Sequence, residues 1–422
     1  PIIYRKIVVI DESSMVGRVF FRNMLDRIKL EQEFYNTDTL PLFIFMGDYR
    51  QLPPVESDKQ RGSFSEGIIS ATLFSDTTKF YELSQVMRSK SLFFHGIFNS
   101  IGDQISQQRI DHNEGKSIKP FDSSEYDKLT SESTNDLLVV NESDVDYVVN
   151  DYVNILTEQN NPYEIFWVHY NAVSREETVS MAEKIRKAYF QKLGTPYTPN
   201  ITVGDYIEYK GNFPMFTEID NDLKIGRGTI KPRARVKVLE VYPENTVLGP
   251  ELSKHFGELT VNTMVYKIFN RQGKERIIRI YEKGTFVSGA YDTKTKLKTL
   301  SIKDSTGKVH TKLVKWGVYT NSIQNIFETN SRSLDELFVP SYIGSSHTVQ
   351  GAGYSKVIVG DYNIRMNGPK IDLRDMESSW YVSLTRAVTK LAIIKPNGIP
   401  VKNNRFVFSW NDVKVSDPIS PI

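Results

Sequence analysis

KIVVIDESSMV, residues Lys6 to Val16, decides the fold: four apolar residues with no polar alternation run straight into two adjacent carboxylates. An unbroken apolar run is how a strand covered by helices on both faces of a parallel sheet reads. The stretch therefore predicts a buried parallel strand with Asp11 and Glu12 at its carboxyl end. In open α/β sheets ligands bind at that edge, and there one carboxylate can hold Mg²⁺ while its neighbour orients or deprotonates a water. The spacing fits a Walker B element. The same pair would equally serve as the N-cap of a following helix, so the rest of the chain has to choose between the two.

Composition sets the outer limits. With 422 residues and 39% hydrophobic content, the chain can bury two or three cores, and several domains are expected. It has no cysteine, which excludes disulfides and thiolate metal sites. No apolar run reaches the roughly 18 residues of a membrane span and no signal-peptide pattern opens the chain. A soluble intracellular protein is the expectation, with nucleus, cytoplasm or a viral replication site left open. The net charge of +2 excludes a purely electrostatic nucleic-acid binder but conceals an asymmetry. Residues 224–315 carry 20 Lys/Arg against 8 Asp/Glu, a balance of +12, so the remainder carries −10.

A second apolar strand, LPLFIFMGD from Leu40 to Asp48, leads at once into YRQLPPV. The Pro53–Pro54 pair fixes backbone dihedrals and removes two donors, so it stiffens the loop that holds Gln51. Arg88 follows in LSQVMRS, where it would also read as an ordinary exposed arginine. Residues 102–158 then hold 13 Asp/Glu against 4 Lys/Arg, with Ser and Asn clusters, a composition that predicts a solvated, mobile surface segment in its middle. YEIFWVHYN, Tyr163 to Asn171, resumes as a buried strand that opens a second α/β unit. SREETVSMAEKIRKAYFQKLG predicts a helix capped by Ser174 and stopped by Gly194.

From 225 to 339 short alternating strands between turns predict a small all-β module. Its lysines, interleaved with Tyr266, Phe269, Tyr281, Phe286, Tyr291 and Trp316, would suit a groove that tracks a nucleic-acid backbone on stacking platforms. The same aromatics would also serve as the module's own core. The α/β pattern then returns with IGSSHTVQGAGYSKVIVGD and with a helix, SSWYVSLTRAVTKLAIIKP, that carries Arg386.

In order, VVIDESSMV, FIFMGDYRQLPPV, LSQVMRS, SSHTVQGAGYSKVIV and WYVSLTRA resemble motifs II to VI of superfamily 1 helicases, specifically the type B, RecD and Dda-like DNA helicases. That grouping includes the helicase subunits of helicase–primase complexes in large DNA viruses. The resemblance implies an α/β fold with two RecA-like parallel-sheet cores of the P-loop NTPase type and a small SH3-like β-barrel inserted in the second. It divides the chain into 1–101, the later part of the first core; 102–224, the first part of the second core; 225–339, the basic insertion; and 340–422, the rest of the second core and the tail. It implies an ATP-dependent helicase moving 5′ to 3′ on single-stranded DNA in replication, repair or recombination. ATP and Mg²⁺ would be its cofactors, single-stranded and forked duplex DNA its partners, a primase or other replication protein a further partner, and no membrane.

By the same resemblance Asp11 would hold the Mg²⁺, Glu12 would position the attacking water, and Gln51 would sense the γ-phosphate. Arg88 and Arg386 would act as arginine fingers across the cleft between cores. Ser345, His347, Thr348 and Asn171 would touch the tracked strand, and Gln350 with Gly351 would couple that contact to the nucleotide.

Two departures stand out. Ser345 and Thr348 replace the Thr and Lys usual in motif V, which implies weaker phosphate contact. No G-x-x-x-x-G-K-S/T occurs in the chain, although the family places that phosphate loop before motif II, so truncation upstream of Pro1 is expected. An RNA-directed superfamily 1 helicase and an ATPase-inactive helicase-like scaffold subunit are the alternatives.

Overall fold

The structure, a computed structural model, describes residues 1–48, 50–52, 81, 83, 88–89, 91–158, 162–169, 175–210, 215–219, 226–230, 234–270, 274–324, 327, 331–361, 373–402 and 407–410. Two compact units divide it: Pro1–Ala188 with Ile343–Ile422, and Tyr189–Tyr342.

The first unit holds two parallel sheets, the arrangement expected of RecA-like cores. β1 (Ile7–Ile10) and β2 (Leu42–Phe45) pair in parallel, Ile7 beside Leu42 and Ile10 beside Phe45. Between them α1 (Arg18–Tyr35) crosses over. Its Phe21 and Ile28 are buried, and Phe21 meets Phe45 edge to face at 6.2 Å. Here the structure corrects the expected burial. Both strands alternate between exposed and half-buried, because among the described residues the sheet has two strands and α1 covers the face of Val8, Ile10, Phe43 and Phe45. Ile7, Val9, Leu42 and Ile44 face outward.

The other sheet has five parallel strands. They are β3 (Leu137–Asn141), β4 (Ile165–His169), β15 (Gly344–Ser345), β16 (Tyr354–Gly360) and β17 (Ala387–Lys395), ordered β15-β4-β16-β17-β3. Its apolar runs are buried as predicted. Val357 and Val359 of β16 and Leu391 and Ile393 of β17 share a core with Phe94, Ile97, Phe98 and Ile101 of α2 (Leu92–Asn113), whose spacing puts them on one helical face. On the opposite face Trp167 of β4 meets Tyr152 of α4 (Val145–Glu158) at 5.8 Å.

The acidic segment is a second correction. It contains the α3 helix (Ser124–Leu129) and β3, one strand of the sheet. Tyr126 is fully buried and packs edge to face on Trp380 at 4.5 Å. Asp127 accepts a bond from the buried Lys395 at 2.8 Å, and Asp136 one from the buried Lys390 at 2.9 Å. Ammonium groups inside a sheet need partners, so two of the acids are held in place by the charges they neutralise. The predicted helix is present as α5 (Arg175–Lys192), with Gly194 at φ +69° beyond its end; Ser174 lies outside the described residues.

The second unit is antiparallel β. A seven-stranded sheet joins β5 (Tyr206–Tyr209), β6 (Met215–Ile219), β7 (Gly226–Ile230), β8 (Arg235–Val247), β9 (Thr260–Asn270), β10 (Glu275–Tyr281) and β14 (Phe338–Pro340). A separate three-stranded sheet joins β11 (Phe286–Asp292), β12 (Leu297–Lys303) and β13 (Val309–Lys315), and the short helix α6 (Pro250–Phe256) adds Leu252 and Phe256 to its apolar cluster. Where one module from 225 was expected, strands from 206 onward pair into the first of two sheets with separate apolar clusters. Of the interleaved aromatics, Tyr266 and Phe286 are core, while Trp316 is 39% exposed and packs at a tilt against Tyr291, 4.4 Å between ring centroids. No helix among the described residues is long and apolar enough to cross a membrane.

Candidate active site

At the end of β1, Asp11 is exposed and its Oδ1 accepts the backbone N–H of Glu12 at 2.8 Å. Glu12 takes a left-handed conformation, φ +49°, which costs a non-glycine residue roughly 1 kcal/mol or more. That turn swings the chain into a short 3₁₀ helix, Ser13–Met15, and the Ser13 N–H donates to Met46 O at 2.7 Å, tying the end of β1 to the end of β2. Gly47 is where the two ends meet. A Cβ there would lie 2.8 Å from Ser13 Oγ and 2.9 Å from Ser14 N, so only glycine lets the end of β2 lie this close to the turn after β1.

Asp48 organises the loop that carries Gln51. Its Oδ1 accepts the Arg50 N–H and Arg50 Nε, both at 3.0 Å, and its backbone carbonyl accepts the Gln51 N–H at 3.0 Å. This is the turn chemistry of an aspartate bonding its own backbone two residues on. Leu52, 1% exposed, then plugs the loop into the core that includes α2. Pro53 and Pro54, expected to stiffen this loop, lie outside the described residues.

The residues of motifs V and VI arrive from the five-stranded sheet. Gln350 ends the one-turn helix α7 (Ser346–Val349), and both polar atoms of its side-chain amide are buried without a hydrogen-bond partner among the described residues. Gly351 follows at φ +78°, and a Cβ on it would lie 3.8 Å from Glu12 Oε1. Arg386 stands just after α8 (Leu373–Leu384), 1% exposed. It donates from Nε to Val382 O at 3.0 Å, from Nη1 to Ala352 O at 3.1 Å and from Nη2 to Thr385 Oγ1 at 3.0 Å. Arg88 reaches in beside it and donates from Nη1 to Thr385 O at 3.2 Å.

The electrostatics follow from this packing. Burial pushes the Arg386 guanidinium down to about 9, and the neighbouring Arg88 adds to the fall; Glu12, Tyr381 and Asp48 oppose it. It is still charged at neutral pH. Burial lowers Arg88 as well, against Glu12, Tyr381 and Asp48. Two guanidiniums and two carboxylates therefore converge from two sheets. Two cations side by side and largely desolvated gain from an anion between them.

The remaining expected residues are placed differently. Ser345 and Thr348 bond each other reciprocally: Thr348 Oγ1 accepts the Ser345 N–H at 2.9 Å, Ser345 Oγ accepts the Thr348 N–H at 3.3 Å, and the hydroxyls lie 2.7 Å apart. Both hydroxyls thus close a capping box on α7, while His347 is exposed. Asn171 lies outside the described residues. Among the described residues no three His, Cys, Asp or Glu side chains cluster to hold a metal. Sequence reasoning gave no role to Gly47, Asp48 or Tyr381; the Gly-Asp pair followed by Arg and Gln was the signal available for the first two.

Neither a protein-family profile nor a curated protein matches the chain. Solved structures with a similar chain path include three Pif1 helicase structures. A Pif1 helicase from Bacteroides in complex with ADP-AlF3 and single-stranded DNA is 15% identical, with 94% of this chain and 72% of that chain covered and a TM-score of 0.43. Pif1 helicase from Candida albicans is 16% identical, with 95% and 75% covered and a TM-score of 0.38. A structure of two coordinating Pif1 helicases at forked duplex DNA is 14% identical, with 92% and 69% covered and a TM-score of 0.41. At these identities and scores the likeness assigns neither ligand nor activity to this chain.

Proposed function

We propose that the protein is an ATP-dependent DNA helicase of superfamily 1 type B, moving 5′ to 3′ on single-stranded DNA. The observation that carries this reading is the convergence of Glu12, Asp48, Arg88, Gly351 and Arg386, from motifs II to VI and from two parallel sheets, on one place in the first unit.

ATP with Mg²⁺ would supply a scissile terminal phosphate whose charge the metal shares. Exposed Asp11 is the ligand this chain offers the metal, the others being phosphate oxygens and water, as suits Mg²⁺. Glu12, turned by its left-handed backbone toward Gly351, orients the attacking water. Arg88 and Arg386 stabilise the charge that develops on the transferred group, a role worth about 10³-fold or more in rate. Gln51 and the buried amide of Gln350 read the presence of the phosphate, and Gly351 places that reading beside Glu12. Exposed His347 and the basic second unit are offered to the strand. The Ser345–Thr348 capping box holds the turn that presents His347, with Asn171 assigned to the same strand. Forked DNA and a primase or other replication protein would be the partners.

Glu12→Gln, made in a version of the protein extended by a phosphate loop ahead of motif II, tests this. Turnover should fall about 10²-fold or more while ATP-dependent binding of single-stranded DNA is kept. Retention of more than a tenth of wild-type turnover would remove Glu12 from the water.

A further inference from the structure

Tyr381 lies on α8 five residues before Arg386, 6% exposed, and its hydroxyl donates to Asp48 Oδ2 at 3.1 Å. The other carboxylate oxygen of Asp48 holds Arg50, whose guanidinium stands over the Tyr381 ring at 5.3 Å from the centroid. Gly102 of α2 floors this cluster. A Cβ there would lie 2.8 Å from Tyr381 Cε2 and 3.0 Å from Arg50 Cδ, so the ring and the arginine stem occupy the space of a side chain. Burial and the charge of Asp48 hold the phenol well above its ordinary range, so at neutral pH it is a donor.

The aspartate is bonded at both ends. Its carboxylate takes Tyr381, and its peptide carbonyl takes the N–H of Gln51. Movement of α8 is therefore passed to Gln51 through one residue. We propose that Asp48 and Tyr381 are positioning residues, a latch that sets Gln51 on the loop after β2 against Arg386 at the end of α8. The latch rests on the reading of Gln51 and Arg386 as the two groups that face the terminal phosphate from opposite sheets. One such hydrogen bond adds little to folding, whereas a misplacement of about 1 Å can cost 10²-fold in rate. A positioning role therefore shows as a loss of rate larger than the loss of stability.

Tyr381→Phe keeps the ring and its stacking on Arg50 and removes the donor. In the phosphate-loop-bearing protein kcat should fall about tenfold or more with KM for ATP and the melting temperature little changed. Asp48→Asn should act alike, and the double variant should lose no more than the worse single one. Without nucleotide, hydrogen exchange across residues 42–52 should quicken in Tyr381→Phe. Wild-type kcat in that variant, or single losses that multiply in the double variant, would overturn the latch. If the unmutated protein hydrolyses no ATP, the helicase reading falls and exchange alone decides: faster exchange upholds the latch, and unchanged exchange overturns it.

Discussion

β1 and β16 are written in nearly the same letters, IVVI before Asp11 and VIV before Gly360 and Asp361, yet they have opposite surroundings. β16 lies between β4 and β17, with α2 packed on Val357 and Val359 and the Trp167–Tyr152 contact on the other face. β1 has β2 beside it and α1 on one face, and Ile7 and Val9 are more than half exposed. A lone pair of strands is marginal by itself. The difference teaches that an apolar run states what a strand tolerates; neighbours on both sides and both faces decide whether it is buried.

The two regions also contribute unlike arginines to the site, and this is where the largest effect is expected. Arg386, from the buried region, has three side-chain bonds in a dry setting; among the described residues Arg88 has one, to Thr385 O, and it is half-buried. Each changed to Ala should lose about 10³-fold in DNA-stimulated ATP turnover. Arg386→Ala should also lose roughly 2–4 kcal/mol of stability, since it vacates a buried position and strips buried carbonyls of their donor; Arg88→Ala should lose about 1. Melting curves beside ATPase assays separate the two, and equal melting temperatures would erase the contrast.

Next in size is the strand comparison itself. Ile358→Ala should cost about 2–5 kcal/mol, because residue 358 is fully buried. Val9→Ala, at 53% exposure, should stay within about 0.5 kcal/mol. A large loss from Val9→Ala in denaturant unfolding would mean that the outer face of β1 is covered in solution.

The smallest effect is on pH. Glu31 of α1 accepts the Ile2 N–H at 2.6 Å, the Ile3 N–H at 3.3 Å and Arg27 Nε at 2.8 Å. Burial opposes its charge, but the Arg27 bond and the two amides outweigh it, and the carboxyl is held below its ordinary value. A lowered carboxyl stabilises the fold above its unfolded pKa, about 4.3, and that stability drains away as pH falls through the folded value. Hydrogen exchange in β1 and α1 should therefore quicken on acidification before it does in β16 and β17. Glu31→Gln should flatten that dependence, and an unaltered acid profile in the variant would show that Glu31 does not anchor the first region.

Much of the architecture was legible because it rests on local pattern. Gly194 marked the end of α5, alternation and turns located β8, β9, β10, β12 and β13, and unbroken apolar runs marked β4, β16 and β17. The acidic stretch was misread because composition averages over position. Tyr126 sits among charges, and its neighbours Asp127 and Asp136 are tied to lysines more than 250 residues away. Motif V shows what spacing leaves out: Ser345 and Thr348 were expected to touch a strand, and at a spacing of three they also bond each other. Gly47 and Asp48 were visible as letters, yet their importance depends on what stands opposite them.

By itself the sequence determined several of the strands, the helix ended by Gly194, the order of the motif residues along the chain, and where basic charge is concentrated, since all of these depend on residues near one another in the chain. Only the tertiary structure decided that β1 is half-exposed and β16 is not, that Arg386 is clasped by Val382, Ala352 and Thr385, and that Asp48 meets Tyr381 across 333 residues. Burial, desolvation and pairing of charges belong to three-dimensional neighbourhoods, and no local spacing encodes them.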